Sequence, residues 1–342
     1  MELLLTKNPM VEPLGLRSTK DLVTKYINQA TTFNIATGFI TNDSIAELQS
    51  IMEFKGNDMT LNLFIGMNYL EGFTRIQYNA VEELSNMLHD RNVGEVYLSP
   101  KALYHGKMYS FYKDASCLGS FVGSSNLGSF LDKSANYIES DVYFNGTEGV
   151  LINENIKQII KSLGKPFYET EKIVKFKEPE IKLLKGYDHV TEVSHEQIEA
   201  YKDMRTGVVA NMPFKTDPKS NLNTYFGAGK IKNRYSPRGW YEVELILNKN
   251  SEAANILPTD GSFTVITEDG YSFNLSRQGD YYKNLRSDHN LKILGRWIKG
   301  KMENDGALEI GKPVTEETIA KFGKSRMVFE ETECGIWLLS MK

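Results

Sequence analysis

The chain has 342 residues, of which 41% are hydrophobic and 25% are charged, and its formal net charge is −4. This length predicts two domains, and the mildly negative charge argues against a general nucleic-acid binder, so any polyanion binding must come from local clusters. Two distant cysteines, Cys117 and Cys334, exclude a disulfide framework and a zinc cluster, and the sequence shows neither a signal peptide nor an apolar run of about 18 residues. These features predict a cytoplasmic protein with no membrane contact.

Strand and helix signals are mixed in the first half of the chain. Strands are predicted at 34–40, 60–66, 94–98, 104–113, 117–122 and 141–144, and helices at 42–53, 75–90 and about 153–163. Asn42 or Asp43 is the expected cap of the first of these helices. Helices spread among several hydrophobic strands predict an α/β domain with a mixed sheet flanked by helices over residues 1–165.

A charged stretch at 166–190, broken by Pro179, predicts a linker. The part after it, 191–342, is mostly β in character, with strands at 240–247 and 336–339 and a hairpin at 261–275. Helices are expected at about 290–303 and from Thr315, which can cap it, to Gly323. Trp240, Trp297 and Trp337 lie on apolar stripes, and we expect them in the core.

A histidine and a lysine open the predicted strand 104–113. Strand side chains alternate, so His105 and Lys107 are expected on one face, while Gly106 leaves the other face bare for close packing. A neutral imidazole is a suitable nucleophile towards an anionic phosphodiester, which repels anionic nucleophiles. A lone His-x-Lys arises by chance far more often than through catalysis, so the interpretation depends on the residues that follow.

Those residues are Gly123-Ser-Ser-Asn126 at a strand end and the carboxylates beyond it. Lys107, Ser124 and Asn126 can hold the non-bridging oxygens of a phosphate, and a carboxylate can orient the histidine. Glu139 is the candidate for that carboxylate, with Asp141 as the alternative. Taken alone, Gly-Ser-Ser-Asn is merely a turn; the order and spacing of the whole set favour phosphodiester chemistry without a metal or other cofactor.

In-line phosphoryl transfer needs a second group to protonate the leaving oxygen. No other histidine of the chain has a lysine two residues on, so one chain supplies half of a site. A two-fold homodimer joined through the N-terminal domain would bring two copies of His105 to one phosphate.

In its His105-x-Lys107, Gly123-Ser-Ser-Asn126 and Glu139, the chain resembles the phospholipase D superfamily, and more narrowly the metal-independent type II restriction endonucleases of the BfiI and NgoFVII kind. The resemblance implies a dimeric nuclease domain, a covalent phosphohistidine at His105, and the partner's copy of that histidine as acid and base. It also implies a C-terminal DNA-binding pseudobarrel of the plant B3 type. One departure is Tyr112, where lipid-cleaving members usually carry an aspartate, and this favours the nuclease branch.

Two locally basic segments are the candidates for reading DNA. Residues 228–238 hold four cations and no anion, and residues 277–299 hold six cations and two anions. They fall where the two arms of a B3-type domain are expected, although solvated basic loops are common on protein surfaces. The residues predicted to contact DNA are Lys230, Lys232, Asn233, Arg234, Tyr235, Arg238, Arg277, Gln278, Asp280, Lys283, Asn284 and Arg286.

The sequence therefore predicts a type II restriction endonuclease that hydrolyses double-stranded DNA. Two alternatives stay open: a phospholipase-D-type phosphodiesterase acting on another substrate, and a non-catalytic DNA-binding regulator. Some relatives of this kind work with a separate ATP-driven subunit. The chain contains no Gly-x-x-x-x-Gly-Lys-Ser/Thr of its own, so such a partner is neither required nor excluded.

Overall fold

The computed structural model describes residues 1–5, 17–131, 138–227, 229–231, 234–236 and 238–342. The chain divides into two units, Met1–Pro179 with Gly229–Pro237, and Glu180–Ala228 with Arg238–Lys342. The division after residue 179 lies inside the segment 166–190 that the sequence marks as a linker. No described helix is both long enough and apolar enough to cross a membrane.

The first unit is a mixed sheet with helices. Its strands are β1 (Glu2–Leu5), β2 (Thr32–Thr37), β3 (Thr60–Ile65), β4 (Gly94–Leu98), β5 (Met108–Lys113), β6 (Ser116–Gly123), β7 (Ser140–Phe144) and β8 (Lys165–Pro166). Its helices are α1 (Thr19–Gln29), α2 (Asn42–Lys55), α3 (Asn68–Glu71), α4 (Arg75–Arg91), α5 (Leu127–Leu131) and α6 (Gly146–Leu163). The strands follow the order β1-β7-β6-β5-β2-β3-β4-β8, in which β2, β3 and β4 are parallel.

The helices of this unit pack on both faces of the sheet. On one face, Ala36 and Phe64 of the central strands pack against Ile152 and Ile156 of α6. On the other, the rings of Phe33 and Phe111 stack with centroids 4.1 Å apart, and Tyr26 of α1 lies 5.9 Å from Phe111. The sequence analysis did not predict α1 or β1, and it began α6 seven residues late.

The first turn of α2 is fixed by a capping box. The hydroxyl of Thr41 accepts a hydrogen bond from the Ser44 N–H at 3.4 Å, and Ser44 Oγ accepts one from the Thr41 N–H at 3.0 Å. The expected cap at Asn42 or Asp43 was therefore wrong by one or two residues. Both of these residues lie inside the first turn, where the negative charge of Asp43 favours the helix N-terminus.

The strand directions bring several loops to one edge of the sheet. Parallel β2 and β3 end at Thr37 and Ile65, and antiparallel β5 begins with Met108 opposite Ala36. Next to it, β6 ends at Gly123, which pairs with Asp141 at the start of β7. The segments 105–107, 124–126 and 138–140 therefore meet at this edge.

The second unit consists mostly of strands: β9 (Thr191–Glu192), β10 (Arg205–Pro213), β13 (Leu245–Ile246), β14 (Ser262–Thr267), β15 (Tyr271–Gln278), β16 (Asn284–Ser287), β17 (Arg326–Thr332) and β18 (Trp337–Met341). Its helices are α7 (His195–Asp203), α8 (Thr224–Gly227), α9 (Glu252–Ile256), α10 (Lys292–Asn304) and α11 (Glu316–Phe322). The sheet follows the order β10-β17-β18-β14-β15-β16-β13, and β9 pairs with β15. The short pair β11 (Gly229–Ile231) and β12 (Arg234–Ser236) belongs to the first unit.

The core of the second unit forms around α10. Ile293, Leu294, Trp297 and Ile298 are fully buried there, and Trp240 and Trp337 are also in the core, as predicted. The predicted hairpin at 261–275 and the Thr315-capped helix that ends at Gly323 are confirmed. The alternating stretch 240–247 forms a strand only at its last residues, because Trp240 and Tyr241 turn inward to contact α10.

A buried lysine connects α10 to this inward turn. The Lys299 ammonium donates to the Trp240 carbonyl at 2.7 Å and lies 3.1 Å from the centroid of the indole ring. Glu303, one turn later, accepts from the Trp240 indole N–H at 2.6 Å and from the Tyr241 hydroxyl at 2.7 Å. Burial lowers the pKa of Lys299 to about 7, although Glu303 opposes the shift.

We expect this lysine to make folding stability rise with pH. Above about pH 7 the folded protein releases the Lys299 proton, whereas an unfolded lysine keeps it until about pH 10.4. Because the unfolded state binds more protons, the free energy of unfolding increases between these values. Thermal unfolding at pH 7, 8 and 9 should show midpoints that rise in the wild type and rise less in Lys299→Met; parallel curves would contradict a lowered pKa.

Candidate functional site

His105 lies at the sheet edge that the strand directions predict. It precedes β5 instead of forming part of it, since the strand begins at Met108 rather than at Tyr104. The imidazole is solvent-exposed and lies edge-on to the Phe39 ring, with centroids 5.7 Å apart. A side chain at Gly38 would approach the imidazole to 3.0 Å, so the loop after β2 forms one wall of the site. The sequence analysis did not identify this wall.

Close packing beneath Gly106 explains why the strand starts late. A Cβ at this position would lie 2.3 Å from the Tyr104 hydroxyl, so the tyrosine ring folds back under the glycine. Tyr104 also lies against Phe64, with centroids 5.4 Å apart, and its N–H donates to Gly66 O at 3.2 Å. The bare face expected at Gly106 is thus filled by the neighbouring tyrosine.

Lys107 is buried beside the exposed histidine. Its ammonium donates to the His105 carbonyl at 2.7 Å, and its own carbonyl accepts from the Gly123 N–H at 3.3 Å. Burial lowers the pKa of Lys107, and the carboxylate of Glu139 opposes this change. A loop, instead of the predicted strand pleat, therefore holds the Lys107 amine against the backbone of His105.

The turn 123–126 is held from inside by Asp141. The Asp141 carboxylate accepts from the Ser125 hydroxyl at 2.6 Å, the Ser125 N–H at 3.3 Å and the Thr19 hydroxyl at 3.1 Å. It is fully buried, and this burial raises its pKa. Gly123 is required here because a Cβ would lie 2.2 Å from Asp141 Oδ1. Asp141 therefore positions the turn.

The two remaining polar side chains of the turn have different partners. The Ser124 hydroxyl donates to Glu139 and accepts from the Ser140 N–H at 3.1 Å. Asn126 Oδ1 accepts from the Phe39 N–H at 3.2 Å, which directs the NH₂ group of the same amide away from this loop. The site thus combines an exposed imidazole, a buried ammonium, an amide donor and a carboxylate.

The first basic segment is only partly described. Lys232 and Asn233 lie outside the described residues, as do the side chains of Lys230 and Arg234. Tyr235 is buried: its ring centroid lies 5.3 Å from that of Phe54, and its N–H donates to Asn28 Oδ1 at 2.7 Å. This packing gives Tyr235 a structural role in the first unit instead of the predicted contact with DNA.

Four predicted DNA-contacting residues converge in the second unit. Arg238 and Arg286 approach the two carboxylate oxygens of Glu244 with N···O distances of 3.8 and 3.9 Å, and Asn284 Nδ2 donates to Glu244 Oε1 at 3.1 Å. Arg286 also donates to the side-chain oxygen of Gln278. The sequence analysis omitted Glu244, although it lies at an outward position of the alternating stretch 240–247.

Arg277 has a different role from its neighbours. Its guanidinium is buried and donates to three backbone carbonyls, Tyr282 O at 2.8 Å, Ala254 O at 2.9 Å and Leu257 O at 2.7 Å. Arg277 thus supports the loop after β15 from inside, because its position in the alternating strand faces the core, and we no longer assign it a DNA contact. Asp280 and Lys283, in that loop, are exposed.

The same loop carries two aromatic residues that the sequence analysis did not select. Tyr281 and Tyr282 are 80% and 51% exposed, and both have left-handed backbone angles, with φ of 57° and 51°. Such angles are costly for residues other than glycine and are frequent at functional sites. The exposed rings lie between Asp280 and Lys283, so they belong to the same candidate surface.

Comparisons with known proteins agree with both units. A family model described as the NgoFVII restriction endonuclease N-terminal PLD domain matches residues 18–172. A second, the NgoFVII C-terminal B3-like DNA-binding domain, matches residues 200–333, so the two together span most of the chain. No match was found among curated protein sequences.

Solved structures also match part of the chain. Nuc, a phospholipase D family member from Salmonella typhimurium, is 16% identical with a TM-score of 0.32; the alignment covers 48% of this chain and 96% of Nuc. NucT from Helicobacter pylori gives the same identity and TM-score, over 48% of this chain and 97% of NucT. The archaeal chromatin protein TrmBL2 is 11% identical with a TM-score of 0.29, and the alignment covers 48% of this chain and about half, 53%, of that protein.

The two family models match in the order in which the two units follow each other along the chain. The first includes His105, Lys107, Asn126 and Glu139, and the second includes Glu244 and the residues around it. The chain belongs to the NgoFVII restriction endonuclease family, and it is a site-specific nuclease with a phospholipase-D-type domain and a B3-like DNA-binding domain.

Proposed function

We propose that the protein is a type II restriction endonuclease that hydrolyses DNA phosphodiesters without a metal ion, through a covalent phosphohistidine at His105. The observation that carries this proposal is the pairing of an exposed imidazole with a buried ammonium 2.7 Å from the carbonyl of the same histidine. The imidazole can reach a phosphate from solvent, while the cation behind it stabilises negative charge.

The proposed reaction has two steps. A neutral His105 imidazole attacks phosphorus, a P–N bond forms, and the P–O bond to the leaving deoxyribose oxygen breaks as that oxygen receives a proton. Water then attacks the phosphohistidine, giving up a proton to the same acid–base group, and the P–N bond breaks to regenerate the imidazole. Both steps are in-line displacements, so the acid–base group must lie on the opposite side of phosphorus from His105.

The surrounding side chains fit the support that these steps need. Lys107 and the Asn126 NH₂ group are donors suited to the non-bridging oxygens, whose charge increases in the transition state. Glu139 is the better candidate for orienting His105, because the alternative, Asp141, is fully buried and bound to Thr19 and Ser125. Ser124 donates to Glu139, so we assign it the positioning of that carboxylate.

A second protomer can supply the opposite acid–base group. Three large apolar side chains beside the site segments are exposed: Leu103 at 60%, Ile138 at 53% and Leu70 at 47%. Leu103 is two residues before His105 and Ile138 is one residue before Glu139. Leu103 and Ile138 therefore lie next to proposed site residues in sequence, where a partner protomer could cover them in a homodimer that brings two copies of His105 to one phosphate.

The B3-like unit would select the DNA sequence. Arginine, asparagine and glutamine are the residue types that read guanine and adenine, which supports Arg238, Gln278, Asn284 and Arg286 as contacts to bases. Lys283 is exposed and suited to phosphate, and Asp280 to cytosine. Lys230, Lys232, Asn233 and Arg234 of the first basic segment, which belongs to the first unit, remain proposed contacts to DNA in their own right. Comparing cleavage with and without a separate ATP-driven subunit and ATP tests for that partner.

Cleavage in a chelator tests the proposal. We expect supercoiled DNA that contains the recognition sequence to be cut into defined fragments in a large excess of EDTA over total metal, at about the rate seen with Mg²⁺, because no step requires a metal. A magnesium-dependent restriction enzyme, used as the control, should not cleave DNA under the same conditions. Loss of cleavage in EDTA with recovery on adding Mg²⁺ would reject the mechanism, and an intact plasmid with a specific gel shift would support a non-catalytic regulator.

A further inference from the structure

A carboxylate occupies the centre of the proposed base-reading cluster. Glu244 Oε2 faces the Arg238 guanidinium at 3.8 Å, and Oε1 faces Arg286 at 3.9 Å and accepts from Asn284 Nδ2 at 3.1 Å. Its side chain is about one quarter exposed. One anion thus touches three of the side chains that we assign to reading bases.

The position of this glutamate is fixed by the backbone. Its N–H donates to the Asn221 carbonyl at 3.4 Å, and the Asn221 side-chain oxygen accepts from the N–H of Ile246, two residues later, at 2.7 Å. Asn221 is buried and has a left-handed φ of 56°. The segment that carries Glu244 is therefore held to Asn221 at two points, whereas the side chains of the arginines that it contacts are long and flexible.

The negative charge is unexpected on a surface that meets DNA. A carboxylate repels phosphates and lowers the affinity for any DNA sequence. Its distances of 3.8 and 3.9 Å to the guanidinium nitrogens exceed those of a hydrogen bond, so Glu244 attracts the arginines without taking up their N–H donors, while one donor of Arg286 goes to the side-chain oxygen of Gln278. These donors are the groups that would form a two-pronged contact with guanine.

We propose that Glu244 is a positioning residue for sequence discrimination. It holds the guanidinium groups of Arg238 and Arg286 and the amide of Asn284 in the orientation that reads bases, and it opposes their use as mere phosphate contacts. This inference rests on the proposed function of the cluster. It assigns to an acidic residue a contribution to specificity that comes at the expense of affinity.

Removing the charge of Glu244 should therefore lower the sequence specificity and raise the non-specific affinity for DNA. In Glu244→Gln the shape remains but the charge is lost, so Arg286 can move to a phosphate. Arg238 keeps a second carboxylate, Glu242, at 3.9 Å, and its change should be the smaller of the two. We expect the preference for the cognate base at the positions read by Arg238 and Arg286 to fall about 10-fold, since a two-pronged contact is worth about 5- to 150-fold in discrimination. Non-specific binding should tighten, and the slope of log K against log salt should steepen by about 0.9 for each additional phosphate that the freed arginines neutralise.

The experiment uses the full chain with His105→Ala, so that DNA is bound without being cut. Selection from a random-sequence duplex library gives the base preference at each position for this background, for Glu244→Gln and for Glu330→Gln. Glu330 is a matched control because it pairs with one arginine, Arg205, at 3.0 Å on β17 and β10, outside the cluster. Salt titrations on one cognate and one scrambled duplex measure the affinity.

A double variant of Glu244 and Arg286 distinguishes a Glu244 that positions the arginine from a Glu244 that contacts a base directly. If Glu244 acts through Arg286, the preference at the base read by Arg286 should be equally low in Arg286→Ala and in the double variant with Glu244→Gln. Additive losses, or loss at a single cytosine that Arg286→Ala does not affect, would overturn the positioning role. So would a Glu244→Gln protein with unchanged preferences and salt slope.

The outcome also separates this inference from the proposed function. A background protein that selects no sequence from the library would reject base reading by this cluster altogether. A background protein that selects a sequence, combined with unchanged Glu244→Gln preferences, would reject the role of Glu244 alone.

Discussion

His105→Ala should abolish DNA cleavage while leaving sequence-specific binding intact. The substitution removes the proposed nucleophile, and none of the surrounding donors can replace it: Lys107 is buried as a cation and Asn126 is neutral. Loss of a nucleophile that forms a covalent intermediate costs on the order of a million-fold in rate in well-studied enzymes. Cleavage of a plasmid and gel-shift affinity for one cognate duplex, measured on the same preparation, check both halves of the prediction.

A second histidine of the same domain provides the control. His89 is in the last turn of α4, where its ring lies 5.2 Å from that of Tyr168. His89→Ala should therefore cut at the wild-type rate, with at most a small change in thermal stability. Cleavage by His105→Ala within about 10-fold of the wild-type rate would remove His105 from the chemistry, and loss of binding in that variant would mean that the substitution disturbs more than the site.

The sequence predicted the residue types of the candidate site better than it predicted the local backbone geometry. His105, Lys107, Asn126 and Glu139 could be selected from residue type, order and spacing. The sequence also predicted most of the strands, but their order and directions, which bring these residues to one edge of the sheet, come from the structure. The bend at 104–107 could not be predicted, because it depends on the Tyr104 ring folding back under Gly106, a contact that no periodicity reveals.

The burial of individual side chains distinguishes candidate residues that the sequence could not distinguish. Glu139 directly precedes β7 and Asp141 lies two residues later on that strand, so residue type and spacing alone do not decide between the two carboxylates. Only the structure shows Asp141 bound to Thr19, which is 122 positions away in sequence. Arg277 and Arg286 likewise cannot be distinguished by residue type within the basic segment. In the structure Arg277 faces the core and donates to three backbone carbonyls, whereas Arg286 faces Glu244.

Among the residues considered for DNA binding, Tyr235 and Glu244 also could not be assigned correctly from residue type alone. A basic, polar segment predicts contact with DNA, but Tyr235 within it is held by Asn28 and Phe54 of the first unit. Glu244 was overlooked because an acidic residue does not suggest DNA contact by its type. Its proposed role depends on the three side chains around it, and these are distant from it in sequence or lie on another strand: Asn284 and Arg286 belong to β16, and Arg238 precedes Glu244 by six residues.

Mixing wild-type and His105→Ala chains should suppress cleavage more than dilution does. If two copies of His105 act on one phosphate, only dimers with two wild-type chains are active, and their share is the square of the wild-type fraction. With one wild-type chain in ten, activity per wild-type chain should fall about 10-fold, because nearly every wild-type chain has an inactive partner. The measurement is the cleavage rate after co-refolding the two chains at several ratios, with total protein held constant.

Mixtures with His89→Ala serve as the reference, since both chains then contribute a complete half-site and the rate per chain should not depend on the ratio. A rate proportional to the wild-type fraction in the His105→Ala mixtures would show that each chain cuts by itself. In that case the acid for the leaving oxygen must come from the same chain, and the exposed Leu103 and Ile138 would need another explanation. A quadratic dependence would instead place the nucleophile and the acid–base group on two copies of one imidazole, and it would explain how a chain with a single His-x-Lys motif can form a complete site.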